Sequence, residues 1–297
     1  MRRTCVMALV AMMAPVLAAA QGSTPPASGC PQPPATVQAP APVQAQAQND
    51  PDADLQTVIS EPDFTLGALP TTLRLPKHKM AFRITHRFTY KINGQSIGEF
   101  FENGLGFDSS ATTGFELRWG LAQGTQLSLH RTNSRNIQFM AQRQLTAQRA
   151  NGRFSADILG AVDGQENFSE EHSFVVGGVI SHQFGEQGAV YVQPIGVFNV
   201  TPEISSPKQN TLVLGVGARF LVFRSRSSYV VAEFAPRVAG YDGGSSLVLI
   251  GLEKRLGGHS FQLNLSNGFG TTMAQVGHGG PKTKHWHLGF NITRKFY

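Results

Sequence analysis

Charged side chains of both signs recur two or four residues apart along much of the chain. Because alternate residues of a β-strand point to one face, this spacing predicts a single charged face that could form ion pairs or border a hydrated passage. The residues that share the pattern are Arg83, Arg87, Glu116, Arg118, Asp157, Arg219, Glu233, Arg237, Glu253 and Arg255. Across such a passage, Arg83 or Arg87 could pair with Glu116 or Glu253.

Four more polar residues extend this face, namely Asn264, His285, His287 and Asn291. His285 and His287 are two residues apart, so their imidazoles would point the same way. A metal site there would need a further ligand such as His278, and we favour a neutral or pH-titrating lining. The sequence has no CxxC, HExxH, phosphate-binding loop or GxGxxG motif, so we predict neither a metal nor a cofactor.

The elements that must position these residues are predicted to be β-strands. From Lys79 onward apolar residues recur with a period of two, and no window of helical length carries an apolar stripe. Twelve segments alternate in this way, the first over residues 80–92 and the last over residues 285–296. Most are long enough to cross a bilayer as tilted strands, which takes about 9–11 residues.

The links between the segments favour a membrane barrel. Links after even-numbered segments are all short, whereas links after odd-numbered segments are long except for TNSRN. Up-and-down membrane barrels sort their links in this way, with short turns on one side and long loops on the other. We therefore predict an all-β fold, an up-and-down antiparallel transmembrane β-barrel of about 12 strands, with a soluble secreted sandwich as the alternative.

Aromatic residues toward the segment ends would form the girdles that such barrels place at the membrane interfaces. The residues expected there are Tyr90, Trp119, Phe154, Phe174, Phe184, Tyr229, Trp286, Phe290 and Phe296. In the last segment, HWHLGFNITRKFY, the apolar register runs to Phe296 and leaves Tyr297 out of phase. We expect Phe296 and Tyr297 to form the terminal signal that outer-membrane assembly machinery recognises, with Arg294 near the lipid interface.

The N-terminal region is predicted to precede the barrel. Residues 1–20 combine a basic start, an apolar stretch and small residues before a cleavage site between Ala20 and Gln21, which is typical of a secretory signal peptide. Residues 21–54 are rich in Pro, Ala and Gln and are predicted to be a disordered linker. Residues 55–78 would be a periplasmic lead-in segment, and residues 79–297 the outer-membrane barrel.

Cysteine and charge usage restrict the partners. Only Cys30 would remain after cleavage, so an internal disulfide is not possible, and a lipid-acceptor role for Cys30 is the alternative. The formal net charge of +6 falls to +4 without Arg2 and Arg3 and shows no basic cluster, so nucleic acid is not indicated. The expected partners are outer-membrane lipid, the assembly machinery and an unknown small solute.

Three motifs resemble an uncharacterised family of bacterial outer-membrane β-barrels. They are LPKHKMAFRITHRF (Leu75–Phe88), GGHSFQLNLSNGFG (Gly257–Gly270) and HLGFNITRKF (His287–Phe296), and FELRWGL (Phe115–Leu121) matches the family more loosely. The similarity extends over about residues 70–297 and is weakest in the middle of the barrel. It implies an outer-membrane location and no established activity.

One serine could act as a nucleophile. Ser266 is similar in context to the serine of the outer-membrane phospholipase, but two residues earlier the chain has Asn264 where that enzyme has its histidine. Asn264 cannot accept the proton, so His259 or His130 would have to approach from another segment. We therefore predict no catalytic residue and interpret Ser266 as a polar lumen residue.

These observations leave three hypotheses about function. The preferred one is a narrow passive channel or transporter for small solutes, because the predicted inner face is polar and charged under an apolar outer belt. The alternative is a closed structural or interaction barrel that displays the long loops at residues 94–111 and 271–284. The third is a lipid hydrolase that uses Ser266.

Overall fold

A computed structural model describes residues 59–93, 96–102, 109–148, 153–200, 209–224, 227–241, 243–281 and 285–296. The signal peptide with its cleavage site at Ala20 and Gln21, the linker over residues 21–54, Cys30 and Tyr297 lie outside these residues. Within this part of the chain, no helix is long and apolar enough to cross a membrane.

The described residues form thirteen strands and two short helices. In chain order these are β1 (Met80–Phe88), α1 (Ile97–Glu102), β2 (Ala111–Ala122), β3 (Thr125–Thr132), β4 (Ile137–Thr146), β5 (Ser155–Gln165), β6 (Glu170–Gln183), β7 (Gly188–Val200), β8 (Gln209–Phe223), β9 (Ser228–Ala235), β10 (Arg237–Gly240), β11 (Leu247–Leu256), β12 (His259–Ser266), α2 (Met273–His278) and β13 (His287–Phe296).

The strands close into one antiparallel barrel. β1 pairs with β13, with Met80 opposite Phe296, and β8 pairs with β9, so the sheet has no break between its first and last members. β9 and β10 are two parts of one wall strand, separated at Pro236, which has no N–H to donate to the ladder. The wall is therefore an up-and-down barrel of twelve strands, which confirms the predicted fold class.

The two faces of the wall differ as the period of two predicts. In β3, for example, Gln126, Ser128 and His130 are buried inside the barrel, whereas Leu129 on the opposite face is 40% exposed. Large apolar side chains cover the outer face of nearly every strand. Keeping so much apolar surface in water would cost about 25 cal/mol per Å², so this belt requires an apolar surrounding.

The short turns lie at the end of the barrel where Met80 pairs with Phe296. Gly124 and Gly257 occupy two of these turns with φ of 72° and 55°, a backbone region that suits glycine. We call this the short-turn end. The helices α1, which follows β1, and α2, which follows β12, lie at the opposite end, called the long-loop end.

The interior of the barrel is filled by the segment that precedes β1. Residues 59–75, called the plug, enter from the short-turn end and fold back as a hairpin, with Leu66 N donating to Leu69 O at 2.8 Å and Thr71 N donating to Phe64 O at 2.9 Å. Leu66 and Leu69 are completely buried. This differs from the expected periplasmic lead-in, because its apolar and peptide groups find their partners inside the barrel.

Helix α2 fills the long-loop end. Thr272 caps its first turn in a capping box, since its hydroxyl accepts from Gln275 N while the Gln275 side chain accepts from Thr272 N. Met273 and Val276 face inward and belong to the same apolar cluster as Leu66 of the plug. The lumen is therefore occupied from both ends.

Tyr229 departs from the expected aromatic girdle. It is 1% exposed, faces the lumen, and donates its hydroxyl to Ile59 O of the plug at 2.9 Å. It shares the inward parity of Val231 and Glu233 along β9, so the pleat turns it away from the interface even though it is near the strand end.

Candidate functional site

Most of the polar residues expected on the inner face are buried inside the barrel. The buried ones are Arg83, Arg87, Glu116, Arg118, Asp157, Arg219, Glu233, Glu253, Asn264, His287 and Asn291. Arg237, Arg255 and His285 are half-buried. Burying these charged side chains without partners would cost free energy. The groups that pair with them therefore show which parts of the barrel they hold together.

Two sets of ion pairs lie on the inner face of the wall. Arg219 lies 2.8 Å from Glu253, and both side chains are fully buried. Glu116 lies 2.5 Å from Arg118 and 3.6 Å from Arg83. Arg83 thus pairs with Glu116, as the sequence allowed, whereas Glu253 pairs with Arg219 rather than with an arginine of β1.

Arg87 is buried without a carboxylate in contact among the described residues. Its Nη1 donates to Asn291 Oδ1 at 2.8 Å and to His86 O at 3.0 Å, while Nη2 has no partner in this part of the structure. Amide and carbonyl oxygens therefore provide the hydrogen bonds that offset the loss of hydration of this buried guanidinium.

Glu233 holds the tip of the plug. Its carboxylate accepts three consecutive backbone N–H groups, from Gly67 at 2.9 Å, Ala68 at 3.0 Å and Leu69 at 3.1 Å. Hydrogen bonds to a charged acceptor are stronger than neutral ones. These bonds tie the plug to the middle of β9.

Strands β5 and β13 also hold the plug, here through side chains of the plug. Asp157 pairs with Arg74 and accepts from Gln142 at 3.1 Å. Thr293 donates to the Asp63 carboxylate at 2.8 Å. The wall therefore provides a partner for both Arg74 and Asp63 of the plug.

Arg237 serves the long-loop end rather than the plug. Its guanidinium donates to His278 O at 2.6 Å and to Gly244 O at 2.9 Å, which fixes the end of α2. Burial, together with the charge of Arg237, lowers the pKa of His278 below its ordinary value, although a hydrogen bond to Gly279 O acts in the opposite direction.

Ser266 has no hydrogen bond to a histidine among the described residues. Its hydroxyl donates to Gly268 O at 2.9 Å and accepts from Gly268 N at 3.2 Å. His287 stands opposite Ser266 in the ladder, but its Nδ1 lies 3.0 Å from Tyr90 O. The described residues also contain no group of His, Cys, Asp and Glu arranged to hold a metal.

The sequence pattern did not single out several polar residues that hold the plug. These are Gln142, Gln193, Gln262, Thr293 and Lys295. Each of these residues lies at an inward position of an alternating strand. Their long polar side chains on the predicted polar face could therefore have identified them as lumen residues. The expected lumen set contained mainly charged residues and therefore left them out.

The space left between plug and wall is small. A cavity beside Phe64, Arg83 and Glu116 measures about 10 Å³, which is room for no more than one water. A larger concavity of about 720 Å³ lies on the outer face, where Leu252 and Phe261 border it. The plug and α2 therefore occupy much of the described part of the lumen.

Comparison with known proteins gives a family. The model described as "Membrane bound beta barrel domain (DUF5777)" matches residues 63–296, and no curated protein matches the sequence. Among solved structures, the NanC porin in a rhombohedral crystal form is similar at 6% identity, with 74% of this chain and 99% of that chain covered and a TM-score of 0.47.

Two further structures match more distantly. A mutant of the Rh. blastica porin is 11% identical over 62% of this chain and 55% of that chain, with a TM-score of 0.32. A bacterial polysaccharide outer membrane secretin is 8% identical over 75% of this chain and 100% of that chain, with a TM-score of 0.34.

Proposed function

Because the chain belongs to the family of membrane-bound β-barrels described as DUF5777, its apolar outer belt faces lipid, and we propose that it is a gated channel of the bacterial outer membrane. In this proposal the plug and α2 keep the lumen closed at rest. Withdrawal of the plug opens a passage for small hydrophilic solutes. The proposed activity is the passage of solutes and not the catalysis of a reaction.

The observation that carries the proposal is the polarity of the wall behind the plug. Arg83, Arg219, Glu233 and Gln262 meet the plug through hydrogen bonds, which water can replace when the plug leaves. Replacing buried ion pairs by apolar side chains is often neutral or stabilising. A wall built only to stay closed would therefore not need these charges.

The outer-membrane location rests on three features together. The first residues have the pattern of a secretory signal peptide, the barrel has an even number of antiparallel strands with short turns at one end, and the matching family is described as a membrane-bound β-barrel domain. The start of β1 and the end of β13 both lie at the short-turn end, which in this proposal faces the periplasm, so the plug enters from the periplasm.

A closed interaction barrel is the second candidate, and the filled lumen favours it. The plug occupies one end and α2 occupies the other. In that case the wall charges would serve only to fix the fold of the plug, and the long loops would carry the function.

Deletion of residues 59–75 separates these two functions. In planar bilayers the deleted protein should show steady single-channel conductance, whereas the intact protein should be closed for most of the recording. Deletion of residues 96–102, which contain α1, is the matched control and should leave the channel closed. A folded, heat-modifiable deletion barrel without conductance would favour the closed interaction barrel.

A further inference from the structure

The wall binds the plug mainly through the peptide backbone of the plug. Side chains of seven strands donate hydrogen bonds to carbonyl oxygens of the plug. These hydrogen bonds are distributed along the whole hairpin. The pairs are Tyr229 with Ile59 O, Lys295 with Pro62 O, Arg219 with Asp63 O and Thr65 O, Gln262 with Leu66 O, Arg83 and Asn291 with Gly67 O, Gln193 with Pro70 O, and Gln142 with Thr71 O.

The N–H groups of the tip are bound in the same way. The Glu233 carboxylate accepts from residues 67, 68 and 69 in succession. A carbonyl or N–H group is present in every residue except for the missing N–H of proline. This set of contacts therefore recognises a polypeptide path rather than a particular sequence.

Shape imposes the main requirement on sequence, and it applies at the tip. A Cβ added at Gly67 would come within 2.5 Å of Leu249 Cδ1. Leu69 lies over Gly215, where an added Cβ would be 2.9 Å from its Cδ1, and Leu66 lies over Gly217. The wall thus fits a hairpin whose tip has a residue without a side chain and apolar residues at positions 66 and 69.

We propose that the inner wall is a receptor for a polypeptide hairpin supplied in trans, which takes the place of the plug. The partner is a protein segment with a glycine at the tip of its turn and apolar residues beside it. This inference rests on the proposed function in one respect, because the plug must be able to leave.

The contacts explain why such a partner would be accepted. Withdrawal of the plug leaves Arg83, Arg219, Lys295 and Glu233 without the peptide groups that now satisfy them. A second hairpin restores all of these hydrogen bonds, because they are made to backbone atoms. The link of residues 76–78 is exposed at the short-turn end, so the exchange requires no opening of the wall.

The test uses the full chain with a protease site inserted in the exposed link after Lys77. After cleavage, a fluorescent peptide of residues 59–75 is added in excess, and its binding is followed by anisotropy. We expect saturable binding as the labelled hairpin replaces the original plug. Uncut protein is the control and should bind at least tenfold less peptide.

Peptide variants distinguish backbone recognition from side-chain recognition. A peptide with Ser60→Ala and Thr65→Val should bind within about threefold of the native peptide, since it keeps every carbonyl and loses only hydroxyls that have no hydrogen-bond partner among the described residues. A peptide with Gly67→Leu should bind at least tenfold more weakly. Failure of the native peptide to exchange into a cut, heat-modifiable barrel would overturn the proposal, as would a larger loss from the hydroxyl substitutions than from Gly67→Leu.

Failure of this inference is distinguishable from failure of the channel proposal. If the barrel without residues 59–75 conducts and the peptide does not block it, the channel stands and the receptor does not. If the peptide binds the cut barrel but the deleted barrel never conducts, the receptor stands and the channel does not.

Discussion

At the scale of single residues, Glu233 makes the densest set of contacts with the plug, since its carboxylate accepts from three consecutive N–H groups. Glu233→Gln removes the charge and turns an amide N–H₂ toward the plug N–H groups. We expect a loss of about 1.5–3 kcal/mol in plug binding, the range for hydrogen bonds to charged groups.

The measurement for Glu233→Gln is maleimide labelling of Ala68→Cys in a background where Cys5 and Cys30 are serine. Labelling should accelerate by roughly 10- to 100-fold, since 1.4 kcal/mol corresponds to a factor of ten. Glu186→Gln is the control, because Glu186 forms an exposed pair with Arg224 and lies away from the plug. Equal labelling in the two variants would argue against the role assigned to Glu233.

Gly217 provides a steric test of the same site. A Cβ at this position would overlap Leu66 Cδ1, so Gly217→Ala should destabilise the seated plug by about 1–3 kcal/mol, as overpacking does. Gly160→Ala is the control, because its Cβ would have its nearest neighbour, Val175 O, at 3.8 Å. Limited proteolysis of the plug should be faster in Gly217→Ala, and unchanged proteolysis would contradict the packing described.

Residue positions on the wall could be predicted from the sequence, but their partners could not. The alternation of Phe115, Leu117 and Trp119 with Glu116 and Arg118 fixes which side chains point inward. Which arginine meets which acid depends on strand register and on the curvature of the closed sheet. This is why Glu253 pairs with Arg219 rather than with an arginine of β1.

At the scale of elements, α2 is a short helix that depends on its cap. Isolated helices of this length are not stable in water, so the Thr272 capping box and burial of Met273 hold it in place. Thr272→Ala should lose about 0.5–2 kcal/mol of helix stability. Amide exchange over residues 273–278 should then be roughly 2- to 30-fold faster.

The control for the helix is Thr146→Ala at the exposed end of β4. It removes the same hydroxyl without touching α2, so exchange in the helix should not change. Unaltered exchange in Thr272→Ala would show that packing alone fixes α2.

The plug and α2, like the short helix α1, are elements that the sequence did not predict. Apolar residues alternate only briefly in residues 59–75, at Phe64, Leu66 and Ala68, before Pro70 interrupts them, and six helical residues are too few to show a 3.6-residue stripe. Both acquire their structure from the inner surface of the barrel, which exists only after the strands have closed. The wall strands, in contrast, carry their period locally and were predictable.

At the scale of the whole molecule, closure of the sheet leaves every wall strand with two neighbours, which removes the exposed edges that aggregate or leave peptide groups unpaired in lipid. The folded barrel should therefore resist detergent and migrate differently in gels before and after boiling. Extraction should require detergent because of the outer apolar belt. Extraction by salt alone, with a single gel mobility, would contradict a membrane barrel.

The central claim is that the plug inside the barrel closes a passage, and a reversible cross-link tests it most directly. Thr72 Oγ1 and Ser181 Oγ are 2.6 Å apart, so Thr72→Cys with Ser181→Cys places two thiols where they can join plug to wall. Single-channel recording should show no openings in the oxidised protein and, after reductant, openings of the amplitude seen without residues 59–75. Equal conductance in the oxidised and reduced protein, or silence after both reduction and deletion, would contradict the account.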